Sequence, residues 1–170
     1  MKTISQRKVK ASAGTLVKES DIGCILVLAA MLEEMLDGYH RQYIARSVGA
    51  NEASKEFFEK LFSESRPLSS FNGKIILAYA YGMIDKKQYS ALNTVRKIRN
   101  EAAHCNFEFN LEDDGIKSLL NDPSLMFYSE IASSYITQEW HPQLLQGKRK
   151  LILSGIGLLI DPPQAKLINR

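Results

Sequence analysis

Apolar residues recur every three or four positions along much of the chain, a spacing that is typical of amphipathic helices. The longest such stripe predicts a helix from about residue 21 to 47, which Ser20 or Asp21 can cap. The charged side chains lie mostly off the stripe, so one side of this helix is expected to face a core. The apolar positions of the stripe are Cys24, Leu28, Met31, Leu32, Met35 and Tyr39.

The following segments alternate between apolar runs and residues that start or stop helices. An aromatic-rich helix is predicted over 52–63, and Pro67 ends it because the residue before a proline disfavours helical backbone. A strongly apolar helix over about 72–82 follows, and Asp85 can cap another over 86–104. The apolar faces predict that the first helix and the one over 72–82 pack against this last one.

The remainder of the chain gives weaker patterns. Residues 106–115 are polar and turn-like, whereas Asp122 followed by Pro123 is typical of a helix start, since proline is tolerated at the first helical position. The apolar run over 147–160 fits a helix or a strand, because the period of a short run cannot decide between them. No series of alternating strands is seen in the sequence. The predicted fold class is therefore all-α, as a single-domain helical bundle.

Three regions are predicted along the chain. Residues 1–18 are expected to form a mobile basic arm, 19–160 the helical domain and 161–170 a loose tail. The arm is either a solvated terminus or a segment that contacts phosphates. Its basic residues are Lys2, Arg7, Lys8, Lys10 and Lys18.

Composition narrows the classes of protein that the chain can be. Of its 170 residues, 45% are hydrophobic and 24% charged, values that are ordinary for a soluble globular domain. The net charge of +3 permits contact with nucleic acid without requiring it. Cys24 and Cys105 cannot build a zinc site or a disulfide framework, and two free thiols fit a reducing cytoplasm.

Neither a membrane segment nor a cofactor is predicted. The first fourteen residues lack the apolar core of a secretory signal, and the apolar run from Ile22 to Met35 contains Glu33 and Glu34. The chain has no phosphate-binding glycine loop and no HExxH motif. Its histidines are too scattered to suggest a metal site; they are His40, His104 and His141.

The predicted helix over 86–104 ends in the candidate chemistry, KIRNEAAHCNF. Arg99 starts at the edge of the apolar arc, and Asn100 and His104 are neighbours on the next arc. Arg99 and His104 lie about 140° apart on the helix, and pairing of two antiparallel copies is one way to bring them together. The arc that is expected to face the core consists of Ala91, Val95, Ile98 and Ala102, with Leu92 at its edge.

Two interpretations of Arg99, Asn100 and His104 are open. In a ribonuclease site, His104 acts as general acid or base, Arg99 stabilises the charge on the phosphate, and Asn100 orients the ring or the phosphate, without a metal. In a structural polar seam beside the core, Arg99 bonds to carbonyl groups and His104 interacts with the helix dipole. The residue types alone favour the seam, in which none of the three is catalytic.

The same helix carries a concentration of positive charge. It forms either a solvated face or a patch that binds nucleic acid or a partner, and both interpretations stay open. No groove-reading element is visible in the sequence, so any binding to DNA is expected to be weak and salt-sensitive. The five basic residues are Lys86, Lys87, Arg96, Lys97 and Arg99.

A longer stretch carries a family resemblance. Residues 67–89, PLSSFNGKIILAYAYGMIDKKQY, followed by 98–104, IRNEAAH, resemble the mannitol operon repressor family over about 21–106. The resemblance implies an all-helical cytoplasmic repressor of genes for mannitol uptake and use, without a recognised helix-turn-helix. Its partners would be operator DNA, another protein or a second copy in a homodimer. The matching positions are Pro67, Leu68, Ser70, Phe71, Lys74, Ala78, Tyr79, Gly82, Ile84, Ile98, Arg99, Asn100, Ala103 and His104.

The short motif carries a broader resemblance, to HEPN domains, which are helical bundles with an Arg and a His separated by four to six residues. Arg99, Asn100 and His104 match that motif in type and spacing. The resemblance implies a dimeric metal-independent ribonuclease, or a nucleotide- or RNA-binding module that does not cut. The longer match favours the repressor, with the ribonuclease or binding module as the alternative.

Overall fold

The computed structural model describes residues 13–48, 56, 59–63, 68–105, 108–135 and 146–160, and the regular secondary structure of this part of the chain is helical throughout. The all-α fold class predicted from the sequence is confirmed. The longer helices are α1 (Asp21–Val48), α2 (Phe71–Ala80), α3 (Lys86–His104), α4 (Asp114–Leu120), α5 (Pro123–Tyr135) and α6 (Gln146–Ile160).

Local capping explains where the helices begin. The Ser70 hydroxyl accepts a hydrogen bond from the Gly73 backbone N–H (3.1 Å) at the start of α2. Asp85 and Gln88 form a reciprocal capping box at the start of α3, in which each side chain accepts from the other's backbone N–H at 2.8 and 3.0 Å. These bonds satisfy N–H groups that a helix end leaves without a partner. The predicted start of α3 is therefore confirmed.

A tight connection folds α3 back onto α2. Gly82 has a φ of +67°, a left-handed conformation that glycine adopts at little cost. Beyond this turn, the ring of Tyr89 lies on the ring of Tyr79, with 4.6 Å between their centroids. The two helices thus form a hairpin whose closed end lies near the tyrosines.

The core is built around α1, which packs against α2, α3 and α6, while α5 and α6 pack closely on each other. Glycines in α6 allow this close approach: a methyl group at Gly157 would overlap the Tyr128 carbonyl, and one at Gly155 would overlap the Leu28 side chain. The Ser154 hydroxyl donates to the Leu125 carbonyl at 3.0 Å, so a polar group buried between α5 and α6 is satisfied.

The packed part of the chain begins earlier than the sequence pattern indicated. Residues 13–18, assigned above to the mobile arm, are helical, and Ala13 and Leu16 are fully buried in the core. Their spacing of three places both side chains on one face of a short helical turn, and burial of that face holds the segment down. Residues 1–12 and 161–170 lie outside the described residues, so the rest of the arm and the tail stay predictions.

Two further helices were not assigned from the sequence. The ambiguous run over 147–160 is helical as α6, and α4 lies within and beyond the segment interpreted as a turn. Most of the predicted helix over 52–63 lies outside the described residues, although 59–62 are helical. Among the described residues, no helix has the length and apolar character needed to cross a membrane.

Candidate functional site

Helix α3 divides into a core face and a solvent face. Ala91, Val95, Ile98 and Ala102 are buried, as their arc predicts, and Leu92 is buried beside them. The core face packs against α1, α2 and α5. The opposite face is left to solvent, and it holds most of the candidate site residues.

The five basic residues of α3 lie on or beside this solvent face. Lys86, Lys87, Lys97 and Arg99 are exposed and Arg96 is half-buried. Lys87 is engaged with α5, since its Nζ lies 3.5 Å from the centre of the Phe127 ring in a cation–π contact. Within the described part of the chain, none of the five forms an ion pair with a carboxylate.

The charge of α3 is large for a chain of this net charge. The helix carries the five basic residues and one acidic residue, Glu101, whereas the whole chain has a net charge of +3. Five basic residues and one acidic residue give α3 a net charge of +4 with His104 neutral, which is a local excess of positive charge. A surface of this kind attracts anionic ligands and raises their local concentration.

Arg96 is positioned by its own helix. Its Nε donates to Asn93 Oδ1 at 3.2 Å, and Asn93 Nδ2 donates to the Tyr89 carbonyl at 3.0 Å. A guanidinium has five N–H donors, so this arrangement orients Arg96 while using one of them. Among the described residues the other N–H groups have no hydrogen-bond partner, so they can donate to an anion.

The motif residues lie at the surface of the C-terminal end of α3. Arg99 and His104 are exposed, and Asn100 is half-buried. Arg99 Nη1 donates to the neighbouring Asn100 Oδ1 at 3.3 Å. Among the described residues, no hydrogen bond joins Arg99 to His104, as expected from their separation around the helix. The expected seam buried beside the core is therefore not formed by Arg99 and His104.

The lengths of the helices explain this exposure. α2 has ten residues and α3 has nineteen, so at 1.5 Å per residue α2 is about 13 Å shorter. Because the hairpin is closed at Tyr79 and Tyr89, α2, which starts at Phe71, does not extend along the last turns of α3. Arg99 has the angular position of a boundary residue, but it is exposed near this longer end of α3.

A cavity beside the motif has the wrong charge for a phosphate. It has a volume of about 440 Å³ and its lining includes Glu101, Glu108 and Asp113 together with Cys105. Neither Arg99 nor the other motif residues line it. An anion is therefore favoured on the solvent face of α3 and disfavoured in this cavity.

The structure also contains a buried polar cluster that sequence reasoning missed. Lys74 of α2 is 6% exposed, and its Nζ lies 2.7 Å from Glu33 Oε1 and 2.9 Å from Asp37 Oδ1. Burial alone would lower the pKa of Lys74, but hydrogen bonds to Glu33 and Asp37 outweigh it and raise the pKa above its usual value. The sequence placed Lys74 within an apolar run and among the positions that carry the family resemblance, but neither observation paired it with Glu33 or Asp37.

His40 completes this cluster from α1. Its ring is buried, and Nε2 lies 2.9 Å from the Lys74 carbonyl, to which an Nε2–H donates. Burial lowers the pKa of His40, and the hydrogen bond and the nearby Asp37 carboxylate oppose that effect only in part. The cluster consequently ties α1 to α2 beside the core, and its two basic side chains are buried.

No group of three or more histidine, cysteine or acidic side chains among the described residues is placed to hold a metal ion. Trp140 and His141 lie outside the described residues. The described residues form an all-helical structure, and within them the basic side chains on the solvent face of α3 make no ion pair with a carboxylate. No family model, no curated protein and no solved structure matches the chain.

Proposed function

We propose that the protein is a cytoplasmic negative regulator of carbohydrate uptake and utilisation genes, of the kind that the resemblance to mannitol operon repressors implies. In this proposal it contacts nucleic acid through the solvent face of α3, as a homodimer or with a partner protein. The observation that supports it best is the set of five basic side chains on α3 without ion-pair partners in the described part of the chain.

The mode of contact follows from the residue types. Lysine and arginine side chains on an exposed helix mainly bind phosphate oxygens, which position a protein on nucleic acid without reading its sequence. Each phosphate contact on duplex DNA makes the slope of log K against log salt more negative by about 0.9. Binding to operator DNA by the isolated protein is therefore expected to be weak and to fall steeply with salt, and titrations at two salt concentrations measure it.

A complementation experiment tests the regulatory role. Deleting the gene should raise transcripts of mannitol-uptake genes in the absence of mannitol, and the parent gene should restore repression. A variant with Arg96→Glu and Lys97→Glu should fail to restore it, because the α3 face then repels phosphates. Arg149→Glu, at an exposed position on α6, is the matched control and should repress normally. Unchanged transcripts after deletion would contradict the proposal.

A metal-independent ribonuclease with a HEPN-like bundle, or an RNA-binding module of that kind, is the second candidate. The exposure of Arg99 and His104 favours it, because catalysis requires both side chains to reach the substrate. In the reaction, a base takes the proton of the ribose 2′-OH, the 2′-oxygen attacks the phosphorus, and the 5′-oxygen leaves with a proton. His104 suits the proton transfers and Arg99 the phosphate charge, with a second copy supplying the partner group.

Cleavage of single-stranded RNA in the presence of a metal chelator tests this candidate. The ribonuclease requires cutting by the parent protein and loss of cutting in Arg99→Ala and His104→Ala. Arg149→Ala, at an exposed position on α6, should cut because it lies outside the motif and outside the basic face of α3. If the parent leaves the RNA intact at high protein concentration, the ribonuclease fails, and only the RNA-binding module is left of the second candidate.

A further inference from the structure

Four tyrosines at the closed end of the α2–α3 hairpin form a surface that the proposed function has not used. Tyr79 and Tyr81 are 43% and 51% exposed. Tyr79 packs on Tyr89 with 33° between the rings, and Tyr81 packs on Tyr43 with 5.2 Å between centroids and 31° between the rings. We call these four side chains the tyrosine platform. Each pair presents an exposed ring that its partner supports.

The tyrosine platform is continuous with the basic face of α3. Tyr89, Asn93, Arg96 and Asn100 follow one another at intervals of four, three and four residues, so they lie along one side of the helix. Hydrogen bonds link the first three, from Arg96 to the Asn93 side chain and from Asn93 to the Tyr89 carbonyl. At 1.5 Å per residue, Arg96 lies about 10 Å along the helix from Tyr89, and Arg99 about 15 Å.

Aromatic rings next to unpaired cations are the two components with which proteins bind single-stranded nucleic acid. Bases stack on the rings, and the phosphates contact the cations. Paired bases in a duplex are already stacked and cannot lie on Tyr79 or Tyr81. The amide side chains of Asn93 and Asn100 lie beside Arg96 and Arg99, and the Asn100 amide N–H groups suit ribose 2′-hydroxyl groups.

We propose that the tyrosine platform and the adjoining face of α3 bind one segment of single-stranded RNA. Bases stack on Tyr79 and Tyr81, and the following phosphates contact Arg96 and Arg99. This assignment rests on the nucleic-acid-contacting face of the proposed function and specifies its ligand. Regulation through this surface then acts on a transcript.

Fluorescence anisotropy with an unstructured RNA of about 12 nucleotides, within the usual range of site sizes, tests the assignment. Tyr79→Leu should weaken binding about 10-fold, whereas Tyr79→Phe should bind like the parent because it keeps the ring. Arg96→Ala should make the slope of log K against log salt shallower by about 0.7. Met126→Ala removes an equally exposed apolar side chain from α5 and is the control, with binding unchanged.

Several outcomes overturn the assignment. If Tyr79→Leu binds RNA like the parent, the tyrosine platform does not bind the RNA. If the parent binds duplex RNA more tightly than single-stranded RNA, the ligand is not single-stranded. Equally tight binding of single-stranded DNA with the same sequence removes the preference for RNA. If the parent binds no nucleic acid of any kind, the α3 face of the proposed function fails too. Unchanged operon transcripts together with tyrosine-dependent RNA binding contradict only the regulatory role.

Discussion

Lys74 and Glu33 form an ion pair between α2 and α1, with 2.7 Å between Nζ and Oε1, although the Lys74 side chain is almost completely buried. The side chains of Glu33 and Asp37 are 31% and 30% exposed, although the Asp37 Oδ1 atom that faces Lys74 is buried. The cost of dehydration therefore falls mainly on the ammonium group, and the two carboxylates offset it. The pair fixes α2 against α1 at one position along their contact.

Replacing Lys74 should reveal how much this cluster stabilises the fold. Lys74→Met keeps most of the packing but leaves two carboxylates close together, so we expect a loss of about 1–3 kcal/mol in the free energy of unfolding. Lys60→Met is the matched control, because the Lys60–Glu56 pair is 69% exposed at both side chains, and it should cost less than about 1 kcal/mol. Urea unfolding measures both. Equal losses would show that burial of the Lys74 pair has no special role.

The pKa of His40 gives a pH dependence with a defined sign. Burial lowers the folded-state pKa below 6.5, so the unfolded chain binds a proton at a higher pH than the folded chain does. Stability is therefore fully present above about pH 6.5 and falls as the pH decreases below it, by at most about 1.4 kcal/mol per pH unit for this group. His40→Gln, which can still donate to the Lys74 carbonyl, should flatten the decrease between pH 7 and the folded-state pKa. If the free energy of unfolding changes with pH in the same way in the parent and in His40→Gln, the pH dependence does not come from His40.

The start of α3 and the Lys74 cluster show which parts of the structure the sequence could predict. The start of α3 depends on Asp85 and Gln88, which are three residues apart, and its core face depends on helical spacing, so both were predicted from local pattern. The Lys74 cluster joins residues about forty positions apart, and no local pattern pairs them. The exposure of Arg99 depends on where α2 starts relative to the last turns of α3, which is a property of the hairpin.

Close packing between α5 and α6 should make Gly157 sensitive to the smallest substitution. A methyl group there would overlap the backbone carbonyl of Tyr128, which cannot move without displacing α5, so Gly157→Ala should cost about 1–3 kcal/mol. Gly38→Ala is the control, since no atom lies within 4 Å of its added Cβ in the middle of α1. It should stabilise the protein by about 0.5–1 kcal/mol. Thermal unfolding of the two variants should thus shift in opposite directions, and shifts of the same sign would contradict the packing described for Gly157.

The two cysteines should differ sharply in reactivity. Burial raises the pKa of Cys24 to about 12, and the thiolate is the reactive form. Cys105 is half-buried at the end of α3, where its thiol donates to the Ala102 carbonyl. A thiol reagent at pH 8 should therefore modify Cys105 quickly, and Cys24 only as fast as the protein unfolds. Cys105→Ala should abolish the fast phase, and Cys24→Ala should keep it; the reverse result would mean that the core is open at Cys24.

Because the motif on α3 is exposed, substitutions in it should change function without changing the stability of the protein. Arg99→Ala and His104→Ala each remove a side chain that lies in solvent, so each should change the free energy of unfolding by less than about 0.5 kcal/mol. Ile98→Ala, the neighbouring residue on the core face and fully buried, should cost about 2–5 kcal/mol. Urea unfolding of the three variants checks this contrast. A loss above about 1 kcal/mol in Arg99→Ala or His104→Ala would return the motif to a structural role. If stability is unchanged, any loss of RNA binding, RNA cleavage or repression in these two variants is due to a lost contact with the ligand and not to unfolding.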